Sequence, residues 1–199
     1  MPNITPLELD EVSDDVRTHL ERLAERTGYV SQAQLTLAHR PQVMHAVAAL
    51  QQAVGGSATV PRSTMFLVAE MASKVAGCRH CQSHVAKNLH QQGVELDKIR
   101  AIWDYEHSDL FDERERAALD LAAAAAQTPS TATPEHFDRL REVGYSEAEL
   151  VDIMAMISLF GFMNRWNDGV ATRTEDAPAA FALENLGDLD FDLDKHRGT

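Results

Sequence analysis

The only two cysteines among 199 residues stand in the run Cys78-Arg79-His80-Cys81-Gln82-Ser83-His84. The Cys-x-x-Cys spacing lets the two thiols close a disulfide with each other. A thiol attacks only as its thiolate, and an ordinary cysteine pKa of about 8.5 falls toward neutral beside a helix N-terminus or an imidazolium. The sequence predicts both aids. Thr64 to Ala76 reads as a helix stopped by Gly77, and Val85 to Leu89 as the body of the next, which places the cysteines on that helix's opening turn. His84 follows Cys81 by three residues, nearly on the same helical face, within reach of the thiol as a base or proton relay. His80, between the cysteines, is placed to tune a thiolate or to line the entrance.

Three other readings compete for the pair. Buried cysteines often serve as small hydrophobes. Cys78, Cys81, His80 and His84 are all zinc-ligand types, but structural zinc sites usually draw ligand pairs from separated segments, and no second Cys-x-x-Cys is present. A purely structural disulfide would close a very small loop and stabilise little. Redox chemistry is the favoured reading, and it needs no metal or other cofactor because sulfur carries both electrons.

The elements that must position these groups read as helices almost throughout. Apolar residues recur at helical spacing near 12–27, 41–54, 64–76, 79–92, 96–105, 112–127, 134–143 and 147–168, with glycine or proline punctuation between them. Ser146 with Glu149 forms a capping-box pattern, Thr133 precedes Pro134 at a first helical position, and Asp112 opens an acidic first turn. The fold class is therefore all-α, a helical bundle with one sizeable core. The helix after Ser146 carries apolar residues on nearly every face, which in so small a chain points to burial against a second subunit and hence to a homo-oligomer. It ends in the polar run Asn164-Arg165-Trp166-Asn167-Asp168, which reads as a helix end with an Arg165–Asp168 pair. His39, Arg40 and His45 flank Pro41 at another helix start. From Leu186 to Asp194 apolar and acidic residues alternate, suiting either an extended arm laid on a partner or a solvated acidic tail.

Net charge is −13, which disfavours nucleic acid and anionic membranes as partners. The longest apolar stretch, Ile153 to Met163, is too short to cross a bilayer, and the first residues lack the regions of a signal peptide. Two cysteines that look catalytic suit a reducing cytosol, so a cytoplasmic location is expected.

Three segments carry a family resemblance: Ala76 to His84, Glu113 to Asp120 leading into an alanine-rich helix, and Phe160 to Asp168. Together they resemble the AhpD-like fold of alkylhydroperoxidase D and the carboxymuconolactone decarboxylases, over a domain spanning about 38–172, flanked by an N-terminal helical extension (1–37) and an acidic C-terminal arm (173–199). The resemblance implies an AhpD-like helical bundle assembled as a dimer, trimer or hexamer. It also implies a Cys-x-x-Cys pair served by a histidine and a glutamate. By resemblance Cys81 attacks the hydroperoxide and Cys78 resolves the sulfenic acid, although the order is reversible. Two departures are visible. The family's histidine usually follows the second cysteine by four residues, here by three. Its glutamate stands about a dozen residues before the first cysteine, where this chain has Phe66, and the nearest acid on that face is Glu70. Glu70 is then either a surface residue or, since its apolar neighbours would raise its pKa and suit it to proton transfer, the relay acid in a shifted position.

The resemblance, together with these residues, implies a thiol-dependent peroxidase that reduces hydroperoxides and is recharged by a dithiol donor of lipoyl or thioredoxin-like type. Two alternatives are a decarboxylase or lactone-processing enzyme of the same family, whose members generally lack the cysteine pair, and a redox-sensing oligomer without turnover.

Overall fold

A computed structural model describes residues 1–56 and 59–197, and among these it contains ten α-helices and no strand. In chain order they are α1 (Asp14–Thr27), α2 (Gln32–Leu37), α3 (Pro41–Gly56), α4 (Arg62–Ala76), α5 (Arg79–Gln91), α6 (Leu96–Ala101), α7 (Glu113–Ala125), α8 (Pro134–Glu142), α9 (Glu147–Val170) and α10 (Asp176–Leu186). The all-α expectation holds. α2 and α10 are absent from the sequence-based expectation, and the helix expected over 96–105 turns into a 3₁₀ segment at Ile102–Asp104. The glycines read as a break at 55 and 56 are instead the last residues of α3.

α4 is the centre, with α5, α7 and α9 packed around it. Its middle, Thr64 to Ser73, is buried except at Phe66, and Ala69, Ala72 and Ser73 keep it thin enough for neighbours to close in from several sides. The facing side of α7 is built the same way, from Ala117, Ala118, Leu121 and Ala122. A second apolar cluster joins α1 to α3, through Val16, Leu20, Leu35 and Met44, and is closed by Met163 and Trp166 of α9. α9 therefore bridges the two clusters, as Met163 touches both. The caps match the sequence signals: Asp112 with Glu115 and Ser146 with Glu149 form reciprocal capping boxes, and Thr133 caps α8 ahead of Pro134.

α9 departs from one expectation. It is not buried on every side of this chain, for Val151 is 67% exposed and Phe162 40%. Eleven residues apart, the two fall on one face three turns distant. The C-terminal segment departs further. Asp176–Leu186 is helical and packs against α5, and the alternating stretch beyond it lies on its own chain. Phe191 and Leu193 point into the main core while Asp190, Asp192 and Asp194 face outward, so the period-two reading is right about the faces and wrong about the partner. Arg100 clamps the arm through a two-pronged pair with Asp188, and Lys195 pairs with Asp168.

Candidate functional site

The α4–α5 junction places the thiols. Gly77 takes φ +71°, its amide and that of Cys78 bond back to the Lys74 and Ser73 carbonyls, and the chain reverses into α5. Cys78 then occupies the N-cap of α5, where the helix's unpaired amides favour negative charge, and Cys81 falls on the first turn. Both thiols are free and buried, Cys78 at 0% exposure and Cys81 at 4%.

They are not equivalent. The Cys81 S–H donates to Cys78, burial opposes ionisation, and His196 faces Cys78 from the C-terminal arm; the net result holds the Cys78 thiol down at about 6. Cys81 is driven well up by the same contact and by burial, with Asn167 Nδ2 donating to its Sγ at 3.4 Å. His196 is itself buried, with Nδ1 held 2.7 Å from the Thr172 carbonyl, which leaves Nε2 toward Cys78 and, at 3.7 Å, Asp168. Burial alone would lower its pKa, but the Cys78 contact and the Thr172 bond raise it above the usual imidazole value.

Glu70 lies within the same core. Burial drives its carboxyl well up, outweighing Lys74 and reinforced by Cys78, so it stays protonated, with one oxygen lacking a hydrogen-bond partner. The surface alternative for Glu70 is excluded by its burial.

His80 and His84 sit side by side on α5 with ring centroids 4.5 Å apart. His84 does not pair with Glu70. Its Nδ1 lies 2.8 Å from the Tyr29 hydroxyl and its Nε2 2.7 Å from Glu175 Oε2. The other Glu175 oxygen accepts the Gln32 backbone amide at 2.7 Å. Burial pushes the Glu175 carboxyl up, but His84 and the Gln32 amide outweigh it and hold it below its ordinary range. His80 Nδ1 meets the Thr174 hydroxyl at 3.3 Å, and burial with two neighbouring imidazoles pushes its pKa well down. Burial, with Glu175 adjacent, raises the Tyr29 hydroxyl and keeps it protonated.

The structure thus gathers all five expected site residues around the α4–α5 junction and adds Tyr29, Asn167, Glu175 and His196. Within the motif of residues 78–84, nothing signalled Tyr29, Glu175 or His196, which stand about 50 to 120 positions away. The polar run closing α9 plays a different part from the one its sequence suggests. Asn167 reaches Cys81, Asn164 donates to the Ala72 carbonyl, Arg165 bonds the Gly161 carbonyl and the Thr128 hydroxyl, and Asp168 pairs with the arm instead of with Arg165. His39 and His45 bind the Thr5 carbonyl and Asp15, in the N-terminal extension. A cleft of about 430 Å³ between α4, the residues 126–128 that follow α7, and α9 has Asn164 in its wall, one turn before Asn167.

Comparison with known proteins agrees with this construction. Residues 41–124 match the carboxymuconolactone decarboxylase family model. The chain is 26% identical over 110 residues to the uncharacterized protein YdfG of Bacillus subtilis, a match taking in 55% of this chain and 72% of YdfG. It is 29% identical over 105 residues to YnjA of Escherichia coli, covering 52% of this chain and 57% of that protein. Among solved structures, a cysteine-to-alanine variant of the debrominase Bmp8 in complex with 2,3,4-tribromopyrrole superposes with a TM-score of 0.83 at 29% identity, over 91% of this chain and 96% of Bmp8. A peroxidase-related protein with an alkylhydroperoxidase AhpD core from Ralstonia eutropha shares the fold, with a TM-score of 0.82 at 24% identity, over 92% of this chain and 95% of that one. With its helix-opening cysteine pair and its helical bundle, the chain has the AhpD-like fold, and its residues 41–124 are similar to the carboxymuconolactone decarboxylase family.

Proposed function

We propose that the protein is a thiol-dependent oxidoreductase that reduces hydroperoxides through a Cys78–Cys81 disulfide. The observation that carries the proposal is the asymmetry of the pair, one thiol held at about 6 and its neighbour held protonated against it. That is what a nucleophile with a waiting resolving thiol requires. It favours Cys78 over Cys81 as attacker, the reverse of the order the family resemblance implied.

In the cycle, the Cys78 thiolate attacks the terminal peroxide oxygen, the O–O bond breaks, and the departing alkoxide takes a proton. Protonated Glu70 and the His196 imidazolium are the acids in place to give it. The Cys78 sulfenic acid then meets the Cys81 thiol, forming the S–S bond and releasing water. An external dithiol returns two electrons and two protons. His84, His80, Glu175 and Tyr29 form the polar wall beside the pair, and the partly exposed His84 side chain opens that wall to solvent. Assembly as a homo-oligomer belongs to the same proposal.

A second reading is supported by the likeness to Bmp8. The same thiolate attacking bromine of a brominated aromatic would leave the ring carbon to take a proton. Cys81 would then displace bromide from the sulfenyl bromide, giving the same disulfide. The test is consumption of tert-butyl hydroperoxide and, separately, of a bromopyrrole with dihydrolipoamide as reductant, in wild type, Cys78→Ser and Cys81→Ser. Sustained turnover of either substrate that both substitutions abolish supports thiol redox catalysis and selects the reading. Equal behaviour of all three proteins overturns both.

A further inference from the structure

We infer that His80, His84 and Glu175 form a binding site for a divalent first-row transition-metal ion of the zinc class. The inference goes beyond the peroxidase reading and does not depend on it. One nitrogen of each histidine and one carboxylate oxygen lie within 4.8 Å of one another. The donor set, two imidazoles four residues apart on one helix and a carboxylate from a distant segment, is that of zinc sites with three protein ligands and an open position.

Three observations point to an ion instead of a plain ion pair. First, His84 Nε2 and Glu175 Oε2 approach to 2.7 Å, yet neither atom is aligned in a hydrogen bond, although both are buried. Two ligands of one tetrahedral zinc, each about 2.1 Å from it and about 109° apart, stand about 3.4 Å from each other with lone pairs converging on a third point, so an ion entering here parts the pair by about 0.7 Å. Second, a hydroxyl meets Nδ1 of each ring, Tyr29 on His84 and Thr174 on His80, which leaves each Nε2 for a ligand. Such outer partners fix tautomer and ring orientation in metal-bound histidines. Third, Glu175 is anchored by the Gln32 amide through Oε1, so Oε2 alone faces the histidines, at 6% side-chain exposure. The His84 side chain, 18% exposed, gives an ion a way in. The sequence weighed a zinc site on Cys78, Cys81, His80 and His84 and found no second ligand pair; the carboxylate it lacked comes from the start of α10, and the thiols are not needed.

The full-length protein, reduced with a phosphine and stripped with chelator, is titrated with Co²⁺ and then with Zn²⁺. Visible d–d bands saturating at one Co²⁺ per chain, bleached by Zn²⁺ and preserved in the Cys78→Ser/Cys81→Ser double variant, support the site. Glu175→Gln should weaken Co²⁺ binding by well over tenfold, and Tyr29→Phe, which frees His84 Nδ1, by about tenfold. Three results overturn it: a thiolate-to-cobalt charge-transfer band that the double cysteine variant loses, binding that survives in a natively folded Glu175→Gln, or no saturable binding at all. Every readout is a stoichiometry or a spectrum, so a failure of the peroxidase assay leaves the site standing, and the reverse also holds.

Discussion

Replacing His196 with phenylalanine removes the imidazole directed at Cys78 while keeping a ring of similar size in a buried position. Cys78 sits near 6, against 9.0 for an unperturbed thiol. The Cys81 thiol supplies the leading part of that depression and stays in place, so the variant should recover only the imidazole's share. A hydrogen bond to a charged group contributes about 1.5–3 kcal/mol, which is about 1–2 pKa units, placing the variant's Cys78 near 7–8.

The rate at neutral pH is the wrong observable for this change. Thiolate is lost, but a thiolate of higher pKa is the better nucleophile, with a Brønsted slope of about 0.4–0.5, so the two effects nearly cancel at pH 7. They separate at the extremes. At pH 5 the variant should alkylate about threefold to tenfold more slowly than wild type, and at pH 9 about threefold to sevenfold faster. The ratio of the two rates cancels nucleophilicity and access alike, and it should rise about ninefold to eightyfold over wild type. Iodoacetamide alkylation, with tandem mass spectrometry placing the adduct on Cys78, measures it. An unchanged ratio in a natively folded variant, or a wild-type Cys78 that titrates in the ordinary thiol range, refutes the pairing.

Wild-type turnover should rise as pH climbs through about 6, where Cys78 ionises, and fall again above the raised His196 pKa, where the imidazolium acid is lost; a steady-state pH profile read as macroscopic constants of the pair checks this. Because the folded-state pKa of Glu70 is raised, its contribution is fully present below the unfolded value and lost as pH rises toward the folded one. Glu70→Gln should therefore match wild-type melting near pH 4 and gain on it progressively toward pH 8, while losing about 10²–10⁴-fold in turnover if Glu70 is the acid, as calorimetry and peroxide assays would reveal. Leu193→Ala, removing a buried side chain from the arm, should cost about 2–5 kcal/mol of arm docking and speed Cys78 alkylation under conditions where circular dichroism shows the helices intact. Phe162→Asp should lower the mass measured by light scattering if the exposed face of α9 meets a second copy, and leave it unchanged if that face is bare in solution.

What was legible in the sequence is what neighbouring residues decide. Gly77 stopping α4, the capping box at Ser146, the acidic first turn after Asp112 and the helix start beneath Cys78 all follow from side chains acting within a few positions, and all appear as read. α10 was missed because Pro178 breaks the look of a helix although it sits in the first turn, where a missing amide costs nothing. The tail's alternation announced an inside and an outside correctly but could not name whose inside, since period two carries no address. Glu70 was half legible, since its apolar neighbours allowed a buried acid beside a surface one. The carboxylate next to His84 was not: it is Glu175, supplied by a segment 91 positions away, and only packing brings it there.

The division between these two kinds of information follows a boundary in the chain. The family match ends at residue 124 and contains the thiols, Glu70, His80 and His84. Tyr29 precedes it, and Asn167, Glu175 and His196 follow it. The matched domain thus supplies two cysteines at a helix start, which alone would set a modestly activated pair. The flanks decide the rest. His196 adds to the lowering that Cys81 imposes on Cys78, Asn167 donates to Cys81, and Tyr29 with Glu175 orients the histidines beside them. Relatives that keep the motif but differ in their flanks would hold the same sulfur chemistry in a different electrostatic setting. Exchanging the segment 187–199 between two such relatives should therefore move the Cys78 titration with the transplanted histidine, while the capacity to form the disulfide stays with the recipient domain.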